Sequence, residues 1–143
     1  MTPFDKAKQL LERVEESGRV LCVDLPSNRY AQVGQPVVAC SLVTVACTSI
    51  DIDQATGPEK CNASQLATFA IIIARDCSWT SEQDGTDDVA KVDVVSAEIA
   101  SDADVLWHMA NNYSAFLSKR WSVAWTIEGG LGVTTLTLTT GID

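Results

Sequence analysis

The stretch Arg120 to Thr140, RWSVAWTIEGGLGVTTLTLTT, limits the fold of this chain more than any other. Trp121, Val123, Trp125 and Ile127 alternate with Ser122, Ala124, Thr126 and Glu128, the period-two pattern of a half-buried strand. Glu128-Gly129-Gly130-Leu131-Gly132 signals a turn, because glycine accepts the positive φ that a hairpin loop requires. Val133 to Thr140 then forms a second strand, with Leu136 and Leu138 on one face and Thr135, Thr137 and Thr139 on the other. A lone hairpin is marginal in water. It therefore demands a sheet beside it and a helix beneath its apolar face. Trp121, Val123, Trp125 and Ile127 are expected to pack inward. The threonine row and the Gly129-Gly130 tip are left as candidates for contact with another subunit or a partner.

The rest of the chain supplies the support. Thr2-Pro3-Phe4-Asp5 reads as a helix start, with Thr2 as N-cap, Pro3 at the first helical position and Asp5 facing the positive end of the dipole. Phe4, Ala7, Leu10, Leu11 and Val14 recur at helical spacing, and Gly18 is expected to end the helix. Arg19 to Leu25, whose Val20, Leu21, Cys22 and Val23 run continuously, reads as a first strand buried on both sides, stopped by Pro26. Pro26 to Pro36 is Gly/Pro-punctuated and reads as a loop. Val37 to Ile50 is a central strand and Gln65 to Arg75 its antiparallel neighbour, joined by a loop from Asp51 to Ser64. A second loop, Asp76 to Ala90, carries five acids and no base. From Lys91 to Leu117, Val95, Ile99, Asp102 or Ala103, Leu106, Met109 or Ala110, Tyr113 and Leu117 form a helical stripe roughly 40 Å long at 1.5 Å per residue. Ser101-Asp102-Ala103-Asp104 is a possible break, since it resembles a fresh cap. The order α-β-β-β-α-β-β, with strands in antiparallel pairs, implies a single α+β domain: about five strands with two helices on one face.

Chemical motifs are scarce. The lone histidine, His108, sits between Trp107 and Met109 without a nucleophile or metal-ligand pattern around it, which reads as a helix-surface or interface histidine. Asp51 and Asp53 match the opening of a calcium loop, but Thr56 occupies the obligatory glycine position and no glutamate closes the frame. The acids Glu82, Asp84, Asp87 and Asp88 read as a solvated loop, as does that Asp51 segment. The five cysteines are odd in number and contain no C-x-x-C, consistent with buried reduced thiols. No cofactor or metal is called for, and the pattern is not that of an enzyme. Trp79, in a polar loop, stands out as an interface anchor. With 19 acidic against 10 basic residues the net charge is −9, which excludes binding by neutralising phosphates but suits a surface that nucleic acid must slide past. No run of eighteen apolar residues offers a membrane span, and the charged N-terminus is unlike a signal peptide, so the chain is expected to fold in a cytoplasm.

Four stretches together resemble the tail terminator proteins of long-tailed bacteriophages, particularly those of mycobacteria and related hosts: ACSLVTVAC, ATFAIIIARDC, DVLWHMANN and WSVAWTIEGGLGVTTLTLTTGID. The resemblance covers essentially the whole chain. It implies a virion protein without catalysis, a hexameric homo-oligomer seated on the last ring of the tail tube protein. There it would stop tube growth and join a head-tail connector or stopper protein, while genomic DNA passes through without specific binding. On that reading some of Asp51, Asp53, Glu82, Asp84, Asp87 and Asp88 face the channel or its rims. Trp79, Gly129, Gly130, Thr135, Thr137 and Thr139 are candidate subunit or partner contacts. Competing readings are a head-tail stopper and, in a different class, a small α+β ligand-binding or enzymatic domain with His108 and Tyr113 looking into a pocket.

Overall fold

The computed structural model describes residues 2–39, 41–53, 64–76, 89–112, 122–128 and 131–141. Two helices and five strands follow in the expected order: α1 (Pro3–Val20), β1 (Asn28–Val33), β2 (Leu42–Asp53), β3 (Ser64–Asp76), α2 (Val89–Asn112), β4 (Ser122–Glu128) and β5 (Leu131–Gly141). The strands form one sheet in the order β1-β2-β3-β5-β4, antiparallel throughout except between β1 and β2. The α+β architecture with helices packed on the sheet matches the sequence reading.

Cross-strand rows build the core. Val43 stands opposite Ile73, Val45 opposite Ile71 and Cys47 opposite Phe69, and Ile71 and Phe69 meet Leu136 and Leu138 on β5. These side chains are buried, and with Ala7, Leu10 and Val14 of α1 and Val105, Leu106, Met109 and Ala110 of α2 they form one cluster. Each β-branched or aromatic pair at this spacing adds a few tenths to about 1 kcal/mol beyond the burial itself. The row on the same face that includes Thr134 and Trp125 extends out to the edge strand β4.

Helix α1 starts as expected: the Thr2 hydroxyl accepts from the Asp5 amide at 3.1 Å and the Asp5 carboxylate accepts from the Thr2 amide at 3.1 Å. Its end departs from expectation. Gly18 does not stop the helix, which runs two residues further to Val20. Termination falls to Cys22, at φ 55°, with the Val23 amide bonded to the Gly18 carbonyl at 2.9 Å and the Cys22 amide to the Arg19 carbonyl at 3.2 Å. These two bonds are those of a Schellman cap, with cysteine in the place where glycine is usual. Gly18 serves packing instead: a Cβ there would lie 2.7 Å from Leu25 Cδ1. The segment expected as a buried first strand is thus a helix end and its cap, and Val20, Leu21 and Cys22 are exposed.

The first strand lies instead within the segment read as a loop. Asn28–Val33 pairs in parallel with Leu42–Cys47, the one parallel step in a sheet whose β2–β3 pairing is antiparallel as expected. Parallel neighbours usually need a crossover of a dozen or more residues, whereas only residues 34–41 make the return. A chain of eight residues reaches at most about 29 Å, enough to retrace a six-residue strand of about 20 Å. Gln32 holds the return segment: its side-chain amide donates to the Gln35 carbonyl at 2.6 Å, and its oxygen accepts from the Val37 amide and from Thr44 Oγ1, each at 3.3 Å. This use of Val37 and its neighbours delays β2 to Leu42, and β2 then runs on through Asp53, beyond the expected end at Ile50. Asp51 and Asp53 are therefore strand residues and not part of a loop. Helix α2 is continuous through Ser101–Asp104, with no break.

Trp125 corrects a further expectation. It shares the helix-facing side but is 55% exposed. Helices pack 8–10 Å apart and strands about 4.8 Å, so two helices roof about four strands. Helix α1 lies over β1 and β2 and α2 reaches β5, so that among the described residues β4 lies beyond the main helix contacts.

Two substitutions check the helix end. Gly18→Ala should lower stability by about 1–2 kcal/mol, overpacking against Leu25 outweighing the gain in helix propensity. Cys22→Gly should raise it by up to about 1 kcal/mol by relieving the left-handed backbone. Urea titrations of both variants measure this, and a stabilised Gly18→Ala would contradict the packing described.

Candidate functional site

The face of the sheet opposite α1 and α2 brings together two of the groups singled out from sequence. On β5, Thr135 and Thr139 are half-buried and Thr137 is exposed, alternating with buried Leu136 and Leu138 as expected. Thr139 stands opposite Thr68, their hydroxyls 3.1 Å apart. On β2 a bulge between Cys47 and Ser49 shifts the phase of the strand by one residue. Without it Asp51 would share the helix side with Val43, Val45 and Cys47. With it, Asp51 pairs with Leu66 and Ser49 with Thr68, which places Ser49 and Asp51 on the threonine side. Toward the other end of the same face lie Leu42, Ile72 and Ala74, buried against Val133. The face therefore grades from apolar to hydroxyl-rich, with a carboxylate at its polar end. The exposed part of this face, Thr137, Ser49 and Asp51, carries hydroxyls and one carboxylate and, among the described residues, no nucleophile–base pair.

Of the remaining sequence candidates, Asp53 lies at the end of β2. Trp79, Glu82, Asp84, Asp87, Asp88, Gly129 and Gly130 lie outside the described residues, as do Tyr113, Cys40, Cys61 and Cys77. Cys47 is a buried thiol whose pKa burial pushes up, as a small hydrophobe would behave, but Cys22 is exposed, against the expectation of burial. Among the described residues no three His, Cys, Asp or Glu side chains gather as a metal site, and no helix is long and apolar enough to cross a membrane.

His108 sits between the two helices. Its Nδ1 is 3.0 Å from the hydroxyl of Ser17, a residue of α1 that is itself buried. Two open hollows flank it: one of about 480 Å³ bordered by Leu21, Asp104, Trp107 and Asn111, and one of about 230 Å³ bordered by Arg13, Glu16 and Met109. The contact ties α1 to α2 at the border of the smaller hollow, which Ser17 also lines.

Sequence periodicity placed Asp102 on the helical stripe without showing why. Asp102 is buried, and Arg75 of β3 grips it with both arms of the guanidinium: Nε to Oδ2 at 2.6 Å and Nη2 to Oδ1 at 2.7 Å. Arg75 also donates to the Asp24 carbonyl at 2.7 Å and lies 3.6 Å from Glu98. Burial pushes the Asp102 carboxyl up while Arg75 pulls it down; the hydrogen bonds to Asp102 hold Arg75 above its ordinary value. The two directions pull opposite ways on one pair. The two-armed geometry is that of an ionised carboxylate, so the pair is charged and burial measures what it costs. With these partners Arg75 is fully engaged, and it pins α2 to β3 and to the segment leaving α1. An arginine ending an apolar strand and an aspartate inside an apolar helical stripe are the only sequence signals of this tie.

Compared with models of known protein families the chain matches none, and no curated protein matches it.

Asp102→Ala should cost about 2–4 kcal/mol, because it removes the two-armed partner of a largely buried guanidinium and leaves it only the Asp24 carbonyl and the more distant Glu98. Arg75→Met added to it should recover much of that loss. Thermal unfolding of the single and double variants tests this, and additive losses would show that the two side chains do not act as a pair.

Proposed function

We propose that this chain is the tail terminator of a long-tailed phage, a subunit of a ring that caps the tail tube and joins it to the head connector. The observation that carries the reading is the two-sided sheet. One face is closed by α1 and α2, while the other presents Thr135, Thr137, Thr139, Ser49 and Asp51 with no helix over them among the described residues. A subunit that must meet both its ring neighbours and a partner ring needs such free surface, and a hydroxyl-rich face makes reversible, directional contacts. The net charge of −9 favours the same reading, since fixed negative charge on a conduit wall keeps phosphates from adhering. Asp51, Asp53, Glu82, Asp84, Asp87 and Asp88 are the residues proposed for the channel or its rims. Trp79, Gly129 and Gly130 are proposed for contact, with the threonine row.

Deleting the gene from the producing phage should yield tails of uncontrolled length by electron microscopy. Tails of normal length beside heads that lose their DNA would identify a head-tail stopper instead. Thr137→Lys should leave the fold intact and abolish joining of the ring to its partner, and unaffected particles would remove this face from the contact. Replacing Glu82, Asp84, Asp87 and Asp88 by their amides should slow DNA ejection without preventing ring assembly; unchanged ejection would refute a channel role.

The hollows beside His108 favour a second reading, a small ligand-binding domain. It requires that His108→Gln abolish function while tails assemble normally.

A further inference from the structure

We infer that copies of this chain join head to tail by adding β4 of one subunit to β1 of the next, making one continuous sheet. The inference deepens the ring reading above and, for closure into a ring, rests on it.

The two outer strands of the sheet are β1 and β4. Among the described residues, nothing pairs with the outer edge of either. Folded proteins usually blunt such edges with proline, bulges or projecting charge. Neither strand contains proline, and both keep an unbroken register with their inner neighbours. The one charged residue of β1, Arg29, is turned back to the molecule, 3.7 Å from Glu15 of α1 and bonded to the Pro26 carbonyl at 3.0 Å. The one charged residue of β4 is its last, Glu128. Large apolar side chains stand exposed on both: Tyr30 at 51%, Val33 at 58% and Trp125 at 55%.

Strand direction selects the pairing. β1 and β2 run parallel, and each later step across the sheet reverses direction, so β4 runs opposite to β1. Rotating one copy beside another, with its helices kept on the same side, lays β4 antiparallel to the neighbour's β1. The strands match in length, seven residues against six. The helix layer agrees. Helix α1 overlies β1, the edge it would bring to the junction, whereas among the described residues β4 makes no comparable contact with a helix. The incoming α1 would therefore roof the uncovered side on which Trp125 stands. Val33, opposite Cys47 on the helix side, would lie on the same side of the joined sheet as Trp125. Symmetric alternatives do worse. Joining β4 to β4 places two unroofed strands together and doubles the gap, and joining β1 to β1 leaves β4 and Trp125 bare. Only the head-to-tail junction occupies both edges, and contacts of that kind close into rings or continue as filaments.

The test uses the full chain with Trp125→Lys and Val33→Lys, both at exposed positions, followed by analytical ultracentrifugation up to about 1 mM, a concentration that detects even very weak association. The wild type should associate, and each variant alone should be weakened at least about thirtyfold, the scale of a hot-spot residue. An equimolar mixture should form heterodimers and nothing larger, because one intact β4 edge meets one intact β1 edge. If a lysine variant fails to melt cooperatively, Trp125→Gln and Val33→Gln replace the pair in the same mixing. A wild type monomeric at about 1 mM, or variants that associate as well as the wild type, would overturn the inference. So would a Val33→Lys chain that still dimerises alone, since that is β4-to-β4 pairing. Association through these edges combined with normal tail length on gene deletion would keep the inference and sink the tail-terminator reading. Uncontrolled tails from a deletion, with a chain monomeric in solution, would do the reverse.

Discussion

Two helices cannot roof five strands, and much of this molecule follows from that mismatch of widths. Strands β1, β2, β3 and β5 receive the helices, and their helix-side residues make the core. Among the described residues strand β4 has no comparable helix contact. Its tryptophan shares a row with buried Thr134 and yet stands in solvent. Among the described residues the sheet is one strand wider than its roof and leaves Trp125 exposed, and exposed apolar surface of this kind commonly marks an interaction site.

Polar ties among the described residues help hold the roof in place. Arg75 and Asp102 join β3 to α2, Ser17 and His108 join the two helices, and Arg29 and Glu15 join β1 to α1. The first is buried and two-armed, so its loss is costly. The last is partly exposed and contributes at most about 1 kcal/mol. The weight of specifying how α2 lies on the sheet therefore falls on Arg75, which also reaches the Asp24 carbonyl and so links the segment after the α1 cap to the same point.

Function in this reading is a matter of surfaces. On the face opposite the helices, Leu42, Ile72 and Ala74 are buried, and the part open to a partner is the hydroxyl-rich end with Thr137, Ser49 and Asp51. The threonine row was legible in sequence because strand alternation is local. That Asp51 shares its face was not, because the bulge at β2 reverses the alternation that the preceding residues set.

The types of α1, β2, β3, α2, β4 and β5 and the two faces of β5 were determined by the sequence itself, since periods of two and 3.6 are properties of neighbouring residues. Tertiary structure alone decided where α1 ends: Gly18 looked like a stop but is needed small beneath Leu25, so the left-handed position passed to Cys22. It alone made a strand of Asn28–Val33, whose polar pattern is held in the sheet by backbone pairing with β2. It also decided that Trp125 is exposed and Asp102 buried, against what their side-chain types suggest. Periodicity records the face a residue takes, whereas burial depends on what distant segments place over that face.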